Sequence, residues 1–171
     1  MTEKSLKSLC AKAIKLGADD VKIIKASSIK TAAWVRNKCK YGCSGFGESL
    51  GCPPYSPTPG ETRKVLDAYK KAVLIHCRSN SKRDISEIVA EVEKEAFLSG
   101  FYKAFGMGAG PCRLCSVCSL KKGCRHPEEA RPAMEACGID VYQTARNNGF
   151  AINVVTSPRC KANYFGVVLI E

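Results

Sequence analysis

Residues 106–127 read GMGAGPCRLCSVCSLKKGCRHP, and the stretch carries the period of neither a helix nor a strand. Its four cysteines are Cys112, Cys115, Cys118 and Cys124. The first three are separated by two residues each, the fourth follows after five more, and Arg125, His126 and Pro127 close the run. Two-residue spacing lets tight turns aim successive thiolates at one centre while the intervening backbone N–H groups face the sulfurs. The stretch therefore reads as a metal-binding loop, and regular elements have to be arranged around it.

Three such cysteines with a remote fourth resemble the ligand run of bacterial ferredoxins, where a proline also follows the last cysteine. The last gap there is three residues, and the fourth cysteine serves a second cluster. Here the gap is five, with Arg125 and His126 before the proline, so Cys124 can close its own site. Zinc is the alternative ion. It is disfavoured because zinc sites usually arrive as two separated CxxC pairs, whereas Cys112, Cys115 and Cys118 offer one pair with an odd neighbour. The spacing points to a 4Fe–4S cluster.

Upstream, residues 39–55 read CKYGCSGFGESLGCPPY. They hold a second constellation, Cys39, Cys43 and Cys52, spaced by three and then eight residues among four glycines. Such glycine density predicts a loop that wraps a ligand, neither helix nor central strand. Three thiolates without an obvious fourth would leave one iron of a second cluster open, or draw a ligand from a distance. Cys160, in the loop SPRCKAN, is the best candidate for that role, with Cys77 next. The glycines at 106, 108 and 110 suggest a phosphate loop only weakly, since cysteines and turns follow instead of a helix. Backbone packed against a cluster accounts for them better.

Around these loops the remaining chain alternates helices and strands. Residues 2–16 predict an amphipathic helix stopped by Gly17, with Cys10 on its core face. Residues 21–26 and 31–35 predict short strands, and Trp34 is expected to pack. Thr58, Pro59 and Glu61 form a capping box that starts a helix running to about residue 71. The apolar run AVLIHC at 72–77 predicts a buried strand, in which His76 is expected to be packed or hydrogen-bonded. Asp84 and Glu87 open a helix ending near Gly100. A helix begun by Pro132 and stopped by Gly138, with Cys137 structural at its end, precedes another capped by Asp140 and ended by Gly149. Residues 150–155 and 164–170 predict strands. The class is α+β, in mixed layers: residues 1–171 as a single cysteine-rich metal-binding domain with its cysteine loops gathered at one edge.

Lys and Arg number 27 against 16 Asp and Glu, a formal charge of +11. Local concentrations at Arg36, Lys38 and Lys40 and at Arg113, Lys121, Lys122 and Arg125 flank the cysteines. They offset cluster and thiolate charge, and they suit docking of an acidic redox partner such as a ferredoxin or flavodoxin. Nucleic acid is disfavoured, because neither an aromatic-interleaved basic strand nor a continuous basic helix is visible. The longest apolar runs are far too short to span a bilayer, and the first residues lack the apolar segment of a signal peptide. A cytoplasmic location is expected. There, eleven cysteines argue for metal or catalysis over a disulfide framework.

Three strings resemble the predicted metal-binding proteins of the domain of unknown function 2284: CPPYSPTPGETRKVLDAYKKAVLI, KAFGMGAGPCRLCSVC and CRHPEEARPAMEACGIDVYQTARNNG. The resemblance extends over roughly residues 20–170. It implies metal binding and no particular reaction. Cys39, Cys43, Cys52, Cys112, Cys115, Cys118 and Cys124 match the family's cysteine pattern, Cys10, Cys77 and Cys137 do not clearly belong to it, and Cys160 stays undecided.

Three functions compete. The first is an iron–sulfur electron carrier with one cluster on Cys112, Cys115, Cys118 and Cys124 and a second on Cys39, Cys43, Cys52 and Cys160. The second is an enzyme acting on a small substrate through an open iron at Cys39, Cys43 and Cys52, with Glu48 and His126 as acid–base candidates. The third is a zinc-stabilised binding module.

Overall fold

The apolar run at 72–77 does become the middle of a sheet. In the computed structural model, which describes residues 3–157 and 159–171, β2 (Lys71–Arg78) pairs with β1 (Asp20–Lys25) on one side and with β4 (Asn163–Leu169) on the other. A three-residue β3 (Phe105–Met107) completes the order β1-β2-β4-β3, and every pair is antiparallel. With five helices, α1 (Glu3–Leu16), α2 (Ala33–Gly42), α3 (Pro59–Asp67), α4 (Ile85–Leu98) and α5 (Val141–Asn147), among the described residues, the class is α+β, as expected.

Side chains alternate along a strand, so β2 and β4 each supply two faces. Val73, Ile75 and Cys77 of β2 join Val168 and Ile170 beneath α1 and α4, which contribute Leu6, Leu9 and Ala13, and Ile85, Ile88, Val89 and Val92. On the opposite face, Ala72 and Leu74 join Phe165, Val167 and Leu169 against Leu66 of α3, Val141 and Ala145 of α5, and the irregular segment bearing Met134, Cys137 and Ile139. His76 is buried on this face, stacked on Phe165 and hydrogen-bonded through Nε2 to Asn163, the packed role expected of it.

Helix starts follow the caps. Thr58 and Glu61 exchange the two hydrogen bonds of a capping box at α3, and Asp84 and Asp140 accept from Ser86 N–H and Gln143 N–H at α4 and α5. The predicted first helix is present from Glu3; its expected Thr2 lies outside the described residues.

Four expectations fail for tertiary reasons. Residues 31–35 are not a strand: Thr31 makes one bridge to Ile139, then α2 starts at Ala33, buries Val35 and leaves Trp34 46% exposed under Lys38. The same helix takes in Cys39, so the loop predicted over 39–55 begins only after Gly42. The helix expected from Pro132 gives way to turns, because its backbone is committed elsewhere. Gly108 N–H donates to Pro132 O, Met134 N–H to Gly108 O, and Ala32 N–H to Gly138 O. Residues 150–155 form no strand; Phe150 and Ile152 insert into the core as side chains instead.

The glycines ahead of the four-cysteine run also have another cause. A Cβ at Gly106 would lie 2.5 Å from a Val89 methyl, one at Gly108 2.5 Å from Ser86 Oγ, and one at Gly166 2.5 Å from the other Val89 methyl. They let α4 settle onto the sheet, and nothing about a cluster is needed to explain Gly106 or Gly108.

Candidate metal centre

Three segments meet beyond the β3 edge. The strand runs on through Gly108, which bridges Ala133, and then enters the four-cysteine loop. Residues 131–132 pack against Gly51 of the upstream cysteine loop: a Cβ there would lie 3.7 Å from Arg131 O and from Pro132 Cα. Segment 128–131 is clamped in turn to α4. Glu93 accepts from Arg131 Nε at 2.5 Å, from Arg131 Nη2 at 2.7 Å and from Gly106 N–H at 2.8 Å.

Within this frame Cys112, Cys115, Cys118 and Cys124 line one small hollow together with Ser49 and His126. Two backbone N–H groups point at its sulfurs, from Leu50 to Cys118 at 3.5 Å and from His126 to Cys124 at 3.4 Å. Such N–H groups stabilise negative sulfur, which is what a metal-bound thiolate is. The loop holds its shape by Gly123 at φ +86° and by Arg125, whose Nη2 donates to Val117 O at 2.6 Å. The donor set is all sulfur, suited to iron–sulfur chemistry or zinc.

The second set is assembled from helix and loop. Cys39 lies in the last turn of α2, Cys43 is its C-cap, and Cys52 follows a chain of tight turns. Arg36, one turn before Cys39, fixes the helix by donating from Nη1 to Pro57 O at 2.8 Å and to Ala136 O at 2.9 Å. Burial pushes the Cys39 thiol up, the Cys43 charge adds to that, and Arg36 offsets part of it. Burial likewise raises Cys52, followed by the charges of Cys43, Cys39 and Cys112, against a hydrogen bond from Ser49. The charges of Cys39, Cys43 and Cys52 thus act on one another, and that of Cys112 of the other set reaches Cys52. A bound cation would reverse these shifts, since it favours the thiolate.

Cys160 is placed differently. Its thiol is exposed, its partners are Thr156 at 3.7 Å and Ser157 at 3.3 Å in its own loop, and it is not among the thiols whose charge reaches Cys39 or Cys52. Hydrogen bonds from Ser157 and then Thr156 lower its pKa to about 7. Cys77 and Cys137 are buried in the two faces of the core, Cys137 raised by burial to about 12. Of the two acid–base candidates, Glu48 is exposed, and His126 belongs to the four-cysteine hollow, not to the set it was expected to serve.

Sequence spacing gave no sign of Glu135. Burial pushes its carboxyl pKa up against a hydrogen bond from its own backbone N–H, its Oε2 is sealed from solvent without a hydrogen-bond partner, and its charge reaches Cys39. Ser49 was missed as well, since nothing in its spacing shows that it stands between the two cysteine sets. Among the described residues no three His, Cys, Asp or Glu side chains converge on a single point as a lone ion would require. A groove of about 820 Å³ opens beside the hollow, between α4 and the loop carrying Cys112 and Arg113. No described helix is long and apolar enough to cross a membrane.

No curated protein and no solved structure matches the chain. Over residues 22–170 it matches the family described as predicted metal-binding protein, domain of unknown function 2284, and it belongs to that family.

Proposed function

We propose that the protein is an iron–sulfur electron carrier, with one 4Fe–4S cluster on Cys112, Cys115, Cys118 and Cys124 and a second on Cys39, Cys43 and Cys52. The observation that carries this reading is the four-cysteine hollow with backbone N–H groups on two of its sulfurs. A cluster places each thiolate on a different iron, so its ligands surround a volume and need not converge on one point. The charge of Cys112 reaches Cys52, which places the two sets in one neighbourhood and makes electron exchange between their clusters part of this reading.

The basic, aromatic-bearing surface of α2 suits an acidic redox protein as partner. Lys38 lies 5.2 Å over Trp34 and Lys40 5.3 Å over Tyr41, both rings exposed, beside Cys39 and Cys43. A reducing compartment such as the cytoplasm fits eleven cysteines of which none is in a disulfide.

The test is iron, sulfide and zinc content, with the visible spectrum, of protein purified without oxygen. About eight irons and eight sulfides per chain with brown absorbance are expected, followed by reversible reduction in a potentiometric titration. Zinc in a colourless protein would overturn the reading.

A further inference from the structure

A three-thiolate set leaves one iron of a cubane without a protein sulfur, and the best sequence candidate for it, Cys160, stays in its own loop. A different side chain is carried by the segment that packs against this set's helix and loop. Resting on the two-cluster reading above, we propose that Glu135 is the fourth ligand of the Cys39, Cys43 and Cys52 site, binding iron through a carboxylate oxygen.

The segment bearing Glu135 is fixed on both sides of it, by the Ala133 bridge to Gly108 and the Ile139 bridge to Thr31. The next residue draws the walls of the site together: Ala136 O accepts from Arg36 Nη1 at 2.9 Å and from Ser56 Oγ at 2.7 Å. Arg36 stands three residues before Cys39, so both lie on one face of α2. Gly51, beside Cys52, packs on Arg131 and Pro132 at the start of the same segment. Residues 131–139, which carry Glu135, thus close on the helix carrying Cys39 and the loop carrying Cys52, and the Glu135 charge is felt at Cys39 and at Cys137.

The carboxyl accepts a hydrogen bond from its own backbone N–H, but among the described residues no cation pairs with it. Its Oε2 is shut off from water and meets no donor, while Arg36 is already engaged with Ser56, Pro57 and Ala136. Buried carboxylate oxygens are ordinarily paired with a donor or bound to a metal, and an iron at the open corner of the three thiolates is the cation this one would meet. Oxygen is a harder donor than thiolate and is more easily displaced from iron. The second cluster would then have one distinct iron, the first, all-thiolate cluster none.

The experiment compares wild type, Glu135→Gln, Glu135→Cys and Cys52→Ser, all purified without oxygen, by iron and sulfide content and by EPR after brief treatment with ferricyanide. Cys52→Ser reports on the underlying reading and is expected to fall from about eight irons to about four. Glu135→Gln is expected to release one iron as Fe²⁺, ferricyanide taking up the electron, and to show a three-iron EPR signal that wild type lacks. Glu135→Cys is expected to keep the full iron count without that signal. If Cys52→Ser loses a cluster while Glu135→Gln matches wild type in iron and EPR, the ligand assignment fails and the reading stands. If both Glu135 variants lose the cluster, the residue is structural and the assignment fails too. If Cys52→Ser leaves iron unchanged, the two-cluster reading falls and takes the assignment with it.

Discussion

Glu93 shows what a single side chain does for the site without touching a thiol. Its side chain is 12% exposed and its carboxylate answers two Arg131 nitrogens and the Gly106 N–H, tying α4, β3 and the segment leading to Glu135 together. Removing one member of a buried pair strands the other, at about 3–5 kcal/mol. Glu93→Ala should lower unfolding stability in urea by about that much, and adding Arg131→Ala should restore part of the loss, because the second change removes the stranded guanidinium. Two cysteines make a contrasting pair. Cys160 has its pKa lowered to about 7 and is exposed, so its reaction with iodoacetamide should proceed at neutral pH and slow as pH falls below 7. Cys137, raised to about 12 and buried, should stay unlabelled in the folded protein. Peptide mass mapping over a pH series reads both. Alkylation of Cys160 should also leave the iron content unchanged, since its hydrogen-bond partners, Thr156 and Ser157, lie in its own loop.

At the level of elements, the start of α3 is fixed by its own cap and by a neighbour. Gly138 sits at φ +74°, and a Cβ there would meet the Pro59 ring at the helix start, some 2.4 Å from Cγ. Gly138→Ala therefore combines a left-handed backbone with an overlap and should destabilise by roughly 2 kcal/mol or more. Gly60, one residue on from Pro59, has nothing within 4 Å of its would-be Cβ, so Gly60→Ala should stabilise by about 0.5–1 kcal/mol. Urea midpoints of opposite sign would confirm the contrast, and a harmless Gly138→Ala would refute it. The difference between these two glycines is invisible in sequence, as was much of the rest at this scale. The capping box of α3, the aspartate caps of α4 and α5 and the continuous run of β2 were legible because their causes are local. The turns at 134–138 and the unpaired run at 150–155 were not, because distant backbone and core space decide them. For the site, spacing alone groups Cys112, Cys115, Cys118 and Cys124, which the structure gathers around one hollow; the influence of Cys112 on Cys52 and of Glu135 on Cys39 was not legible, since each depends on segments 60 to 100 residues apart in the chain.

For the whole molecule, the question is how far metal and fold depend on each other. Small zinc modules unfold without their ion because the ligands are most of their core. Here the proposed ligands stand outside both hydrophobic clusters, which share β2 and β4 and are filled by residues of α1, α3, α4 and α5. We propose that residues 1–171 fold as one unit on that core, with the metal ordering only the loops. Protein stripped of metal under reducing conditions should then keep its far-UV circular dichroism and unfold in a single transition. Amide exchange should locate the difference. The β2 and β4 amides, buried on both faces, should remain protected with or without metal, whereas residues 43–57 and 111–127, held by turns and exposed on one side, should exchange faster in the apoprotein. Collapse of the whole spectrum on metal removal would show instead that the sheet cannot stand on its own packing.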